Sequence, residues 1–585
     1  MKALFRRFSA FAVLLGVLAV LPEPGFAASQ SEPVRATKDM AVTANPYATR
    51  AAMKILHQGG NAVDAAIAAQ FVLSLVEPQS SGVGGGAFML YYQASDAPGV
   101  GSQITSYEGR EVAPKAAGPD LFLDANGKPR SFFDVGIGGR AVGVPGAMKM
   151  LYMAHQDHGL LPWADLFGPA IELAEKGFVV SPRLHGELQR FRNFAKAASF
   201  KKYFYDDKGN PWPAGHVLKN PAYVQTLKLL QAKGVEPLYS GKLAREIVAA
   251  VHDTPLPKGL LTMEDMKNYK AHKTAPLCMP YHQWKVCGPQ LPTSGGVTML
   301  ETLGLLRDFN LQNMKDKPIE RIHLVSEAMR LAYADRNYYL GDPNFVKAPV
   351  AGLLNPTYLR DRSKLISLDK TMAKAEPGTP PEIHGWNYAP DQATEGPSTS
   401  HLSITDQWGN AISMTTTVQG PFGSQLMVGG FILNNQLTDF SFAPTMNGKP
   451  VANRVQGGKH PLSSMAPTMV VDKKDRLHLV IGSPGGRTII AYVTQAVLGV
   501  LDFGRNIQQA VSAPHFFGRG TTLIVENGSV LGHYVGQFEK LGHTLSERRF
   551  NSGLHGIEID GDGADRVLWG GVDPRREGLA LGDDN

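Results

Sequence analysis

The chain has 585 residues, 43% of them apolar and 19% charged, with a formal net charge of +6. That is the composition of a soluble globular protein with several domains or one large layered unit. Its 40 prolines and 63 glycines are spread along the chain, which excludes a fibrous or low-complexity protein, and the mild charge gives no argument for nucleic acid, which wants a concentrated basic face.

Residues 1–27 are expected to be a secretory signal peptide. Lys2, Arg6 and Arg7 precede the apolar run FSAFAVLLGVLAVL, and small residues follow up to Ala28. The run is shorter than the roughly 20 residues a membrane span needs. An uncleaved N-terminal anchor is the alternative. Cleavage removes three basic residues and Glu23, so the net charge falls from +6 to +4. The mature chain is expected to be soluble and periplasmic or secreted, without a membrane anchor.

Helices are predicted over Pro46–His57 and Asn61–Leu75, broken at Gly59-Gly60. Pro46 suits a first helical position, where a missing N–H costs little. In EPQSSGVGGGAFMLYY a Gly-rich turn leads into a strand from Ala87. The turn lacks the Lys of a phosphate-binding loop, so it reads as close backbone packing beside a site. Arg110, in SYEGREVAPKAA, falls at a strand end. Residues 140–330 are largely helical by their apolar spacing, and LPTSGGVTMLETL opens one of these helices. Cys278 and Cys287 form either a disulfide across a short hairpin, as an oxidising compartment allows, or two buried thiols. With no His cluster beside them they make no zinc site.

Residues 371–398 carry Pro377, Pro380, Pro381, Pro390 and Pro397 and no periodicity. They read as a linker, and one this long inside a compact protein is often functional. The chain then turns β-rich. HLSIT and AISMTTTV are predicted strands around the turn DQWGN, GGFILNN and LHLVIGS are further strands, and a helix follows GSPGG directly. In the hairpin, Leu402, Ile404, Ile412 and Met414 share one face and the odd-numbered residues the other. If Asp406–Asn410 form the loop, Thr405 opposes Ala411 and Thr399 opposes Thr417; a shifted register brings Thr415 or Gln419 there instead. The odd face alone reads as the polar side of a solvent-exposed edge hairpin. The linker suggests something more specific. A Thr hydroxyl is a poor nucleophile without a base, but a cut immediately before Thr399 would free an α-amine to act as that base, with an unperturbed pKa of about 7.7–8.0.

The motifs GGNAVDAAIAAQFVLSLVEPQSSGVGGGAFML, GREVAPKAA, PTSGG, AYADRNYYLGDP, TSHLSITDQWGNAISMTTT, ILNNQLTDFS, HPLSSMAPT and GSPGG occur in this order. Together they resemble the γ-glutamyltransferases (γ-glutamyltranspeptidases), and the resemblance covers roughly residues 36–580. It implies an α/β fold, a four-layer αββα sandwich of the N-terminal nucleophile hydrolase type. It also implies one precursor that cleaves itself at Ser398-Thr399 into a large subunit (28–398) and a small catalytic subunit (399–585). By the same resemblance Thr399 is the nucleophile and Thr417 its hydrogen-bonding partner. Gly485 and Gly486 supply the oxyanion-hole amides, at a helix start where free N–H groups favour negative charge. Arg110, Ser463 and Ser464 hold the substrate α-carboxylate; Asp439, with Gln436 beside it, holds the α-ammonium. Gln419 stands where many members carry Asn, so its contact to substrate differs in reach. The segment Phe440–Lys459 is shorter than in lid-bearing members, which implies a more open site.

The expected reaction is γ-glutamyl transfer from glutathione or related amides to water, amino acids or dipeptides, with no metal or organic cofactor. Two other readings stand beside it. A glutaryl or cephalosporin-type acylase would give Asp439 no ammonium to pair with. A non-enzymatic periplasmic binding protein would show neither cleavage nor turnover.

Overall fold

The computed structural model describes residues 32–95, 101–381, 383, 385–393 and 395–583. The expected signal peptide lies outside the described residues. Two seven-stranded sheets, antiparallel throughout, form the centre of the molecule. The first runs Leu579–Gly582, Met40–Thr43, Ser398–Thr405, Ala411–Gln419, Gly86–Gln93, Gln103–Gly109 and His272–Thr274 from edge to edge. The second runs Val34–Ala36, Val567–Val572, His555–Asp560, Leu477–Gly482, Thr468–Asp472, Trp284–Gly288 and Leu277–Tyr281. Each sheet mixes strands from before and after Thr399, so neither half of the chain completes a sheet alone.

Side-chain parity makes these sheets into layers. Leu402, Ile404, Ile412 and Met414 point outward from the first sheet, into the core shared with the helices Pro46–His57 and Ala62–Val76. Val470, Leu479 and Ile481 do the same from the second, against Gly295–Leu306, Pro318–Tyr339 and Ile489–Leu501. Between the sheets lie Met40, Val42, Leu90, Met469, Val480 and Ile557. The order is helix, sheet, sheet, helix, the αββα sandwich that the motifs implied.

The hairpin is not at an edge and has no solvent face. Every residue of both its strands is buried, because other strands flank it and the second sheet covers its odd-numbered face. Hydroxyls on that face are tied across the sandwich: Ser403 Oγ donates to the His555 carbonyl and Ser413 Oγ to the Ile481 carbonyl, both at 3.0 Å. Paired in this way they avoid the penalty of an unmade buried hydrogen bond.

The two helices predicted near the N-terminus are present, with Asn61 as a reciprocal cap for the second. GGFILNN forms a strand only at Phe431–Ile432. Cys278 and Cys287 face each other across an antiparallel pair and are joined as a disulfide. No helix among the described residues is long and apolar enough to cross a membrane.

Leu402 is fully buried against the outer helices. Leu402→Ala is expected to cost about 2–5 kcal/mol, the range for a core truncation that leaves a cavity. A lower urea midpoint with unchanged m-value in equilibrium unfolding is the measurement that checks it.

Candidate active site

The hairpin register follows the predicted loop. Thr405 pairs with Ala411 and Ser400 with Thr416, but Ser398 pairs with Gln419. One extra residue has entered the second strand, so Thr399 stands opposite both Thr417 and Val418. A bulge of this kind bends the strand and re-aims side chains. Gln419 takes up the bend at φ 81°, a conformation L-residues rarely adopt. Its N–H is held by Thr417 Oγ1 at 2.8 Å.

The bulge organises a small hydroxyl network. Thr417 Oγ1 donates to the carbonyl oxygen of Ser398 at 2.6 Å. Having given its one proton there, it can only accept, and it accepts from Thr399 Oγ1 at 3.3 Å and from the Gln419 N–H. The Ser398 carbonyl is therefore polarised by a hydroxyl that also holds Thr399 Oγ1. Behind Thr399, Arg576 Nη1 donates to its carbonyl at 2.8 Å and fixes the backbone. Sequence reasoning missed Arg576; the pair of arginines in DPRREG carries no signal of its own.

Thr399, Thr417, Gln419, Gln436, Asp439, Arg110, Ser463, Ser464 and Gly486 line one cleft. Gly485 sits just behind Gly486 and does not line it. The two glycines have φ of 137° and 58°. A Cβ on Gly485 would lie 2.5 Å from the Tyr492 ring, and one on Gly486 would lie 2.4 Å from the Gly396 carbonyl oxygen. They follow the strand Leu477–Gly482 and lead through a short turn into the helix Ile489–Leu501, the arrangement expected from GSPGG.

The inner end of the cleft is charged and closed. Arg110 is fully buried just past the strand Gln103–Gly109. Its Nη2 donates to Asp439 Oδ2 at 2.8 Å and to the Leu462 carbonyl, while Nε donates to the Pro461 carbonyl. Asp439 also accepts from Gln419 Nε2 at 2.9 Å and Gln436 Nε2 at 2.6 Å. The longer amide of Gln419 thus reaches the acid directly. Burial pushes the Asp439 carboxyl up to about 6, against the downward pull of Arg110, and the nearby charge of Glu395 adds to the rise. Burial raises Glu111, the other acid beside Arg110, to about 8, so Asp439 is the principal counter-charge. Nη1 of Arg110 has no hydrogen-bond partner among the described residues.

Ser463 Oγ accepts the Met465 N–H. Ser464 Oγ accepts from Arg336 Nη2 at 2.8 Å and donates to Glu395 Oε1 at 2.9 Å. Arg336 also pairs with Glu395 itself. Neither residue was singled out from the sequence, although Arg336 lies in AYADRNYYLGDP. The end of the 371–398 segment, unpatterned in sequence, is therefore seated in the cleft, with Gly396 against Gln419 and Gly486. What remains is a cavity of about 10 Å³, near the space of a single water.

The family profile described as gamma-glutamyltranspeptidase matches residues 48–582. The glutathione hydrolase proenzyme of Bacillus subtilis strain 168 is 36% identical, over 97% of each chain. An acylase ACY 1 proenzyme from Pseudomonas sp. strain V22 is 31% identical, over 91% of this chain and 92% of its own. Among solved structures, a cephalosporin acylase from Bacillus halodurans superposes with a TM-score of 0.82 at 26% identity, covering 96% of this chain and 99% of its own. With a profile match along nearly the whole described chain and the sandwich and cleft in place, this protein belongs to the γ-glutamyltranspeptidase family.

Proposed function

We propose that the chain is the precursor of a γ-glutamyl acyltransferase and hydrolase that cleaves itself at Ser398-Thr399. The observation that carries this is the hydroxyl network at the bulge. Thr399 Oγ1 attacks the Ser398 carbonyl carbon, and charge develops on an oxygen already bonded to Thr417 Oγ1 at 2.6 Å. The C–N bond breaks, the Thr399 nitrogen takes the hydroxyl proton, and an ester links Ser398 to Thr399 Oγ1. Water hydrolyses the ester, leaving a Ser398 carboxylate and Thr399 with a free α-amine. In turnover that amine serves as base for its own hydroxyl, and the amide of Gly486, which lines the cleft, serves the oxyanion with that of Gly485 behind it as the second donor.

The inner end of the cleft suits an amino acid head group. Arg110 and Asp439 satisfy each other at 2.8 Å, and a zwitterion offers each a partner of the opposite sign: carboxylate to Arg110, Ser463 and Ser464, ammonium to Asp439. Glutathione and other γ-glutamyl amides carry that head group, and the γ-glutamyl ester on Thr399 passes to water, an amino acid or a dipeptide. The acylase relatives favour a second reading, hydrolysis of glutaryl amides. Such a substrate has no ammonium, leaving Asp439 and its two amide donors without a role. Export to the periplasm or beyond is part of the proposal and rests on residues 1–27.

Two measurements test it. Intact mass and N-terminal sequencing of the wild type are expected to give two fragments, the smaller beginning Thr-Ser-His-Leu. Thr399→Ala is expected to stay whole, and Thr417→Val to process about 100-fold more slowly, the usual cost of losing one oxyanion donor. A folded wild type that never cuts would sink the reading. For the processed enzyme, the Asp439 carboxylate is the form that binds ammonium, so kcat/KM for a γ-glutamyl anilide should fall as pH drops through about 6. Departure of Glu395 removes one upward influence, so the limb belongs at or below that pH. A glutaryl anilide should show no such limb and react at least about tenfold more slowly, the scale of a lost charge-assisted hydrogen bond.

A further inference from the structure

A group of donor atoms away from the cleft takes no part in the chemistry proposed above. His323 and Glu327 lie one turn apart on the helix Pro318–Tyr339 and so share a face. His543 comes to that face from the turn between the helix Val535–Lys540 and the strand Thr544–Arg548. The three are 0%, 0% and 3% exposed, and a ligand atom of each lies within 4.8 Å of the other two. None of them lines the cleft.

Backbone carbonyls fix how the two rings carry their protons. His323 Nε2 lies 2.8 Å from the Ser367 carbonyl oxygen. A carbonyl only accepts, so the proton of the neutral ring is on Nε2 and Nδ1 is left with a lone pair. That lone pair faces His543 Nε2 at 2.7 Å. The His543 ring is hydrogen-bonded in turn to the Thr521 carbonyl. With Nε2 turned to His323, its proton belongs on Nδ1, and a second lone pair meets the first. Metal-ligating histidines are oriented in this way, the other ring N–H given to a backbone carbonyl. Glu327 adds the third donor. Its Oε1 accepts from Arg330 Nη1 at 2.6 Å and from Thr371 Oγ1 at 2.8 Å. Among the described residues its Oε2 accepts only the Met372 N–H, at 2.7 Å, and a carboxylate oxygen has room for one more partner.

Two facing lone pairs call for a cation between them. A shared proton joins two atoms, whereas a divalent ion reaches the third as well. We propose that His323 Nδ1, His543 Nε2 and Glu327 Oε2 bind a divalent transition-metal ion, and two imidazoles with one carboxylate suit Zn²⁺. Tetrahedral Zn–N bonds of about 2.0–2.1 Å set two nitrogens about 3.4 Å apart, so the rings part slightly on binding, and His543, on a turn, is the one placed to move. Arg330 is already paired with Glu327, so the two imidazoles carry most of the affinity. The role of the ion is structural. His323 and Glu327 precede Thr399 and His543 follows it, so the ion joins the two segments that the proposed cleavage separates. The same carboxylate holds Thr371 and Met372 at the start of the linker. Metal binding does not require the cleavage, and failure of either reading leaves the other standing.

The test uses the full chain without an affinity tag, expressed in medium with added Zn²⁺ and desalted before elemental analysis by mass spectrometry. Wild type is expected to carry about one Zn²⁺ per chain and His543→Gln almost none. Added Zn²⁺ should raise the Tm of metal-stripped wild type in a concentration-dependent way, as for a ligand held only by the folded state, and leave that of His543→Gln unmoved. A wild type without zinc overturns the site, as does a folded variant that keeps the same zinc content or the same Tm response. If His543→Gln does not fold, Co²⁺-loaded wild type decides. Intense visible bands of a tetrahedral centre with nitrogen ligands support the site, and the weak spectrum of hydrated Co²⁺ overturns it.

Discussion

The arrangement of the site depends on one extra residue in a central strand. The bulge opposite Thr399 breaks the regular pairing of the hairpin just where the Thr417 hydroxyl takes up both Thr399 Oγ1 and the Ser398 carbonyl. Gln419 carries the distortion at positive φ, a cost of about 1–3 kcal/mol that surrounding structure must offset. Here the offset is visible. The strand is buried on both faces and flanked by partners, and the Gln419 N–H and side-chain amide are both hydrogen-bonded. The rigid sandwich gives the strained turn no cheaper place to relax.

The buried charges follow from the same closure. Arg110 and Asp439 are out of water, and a buried ion pair is costly unless its remaining donors and acceptors are met. Two backbone carbonyls and two side-chain amides meet most of them, while Arg110 Nη1 has no hydrogen-bond partner among the described residues. Removing either partner would strand the other charge. A ligand with both signs can enter without that penalty, which ties the selectivity of the cleft to the stability of its walls.

The linker connects folding to function. Its last residues are held by side chains in and beside the cleft, with Glu395 on Ser464 and Arg336 and Gly396 against Gly486. Seating the segment there brings the Ser398 carbonyl to Thr417. It also fills the cleft to about 10 Å³, so under the proposed function the segment must move before an external substrate enters.

By itself the sequence determined the local elements, and the resemblance carried by its motifs implied the layers and the candidate site. Alternating apolar residues in the hairpin and 3–4 spacing in the helices reflect local periodicity, and the resemblance carried by the motif order named Thr399, Thr417, Arg110, Asp439 and the two glycines as candidates, of which all but Gly485 line one cleft. The tertiary structure decided what depends on partners distant in the chain. Parity could say that the odd residues of the hairpin share a face, but not that a second sheet covers it, because that sheet is assembled from seven strands elsewhere in the chain. Nor could it place the bulge, since register is settled by the flanking strands. The contacts of Glu395, Arg336 and Arg576 were illegible for the same reason. A charged residue in an unpatterned segment has no local signature, and its meaning comes from the carboxylate, hydroxyl or carbonyl that the fold brings to it from elsewhere in the chain.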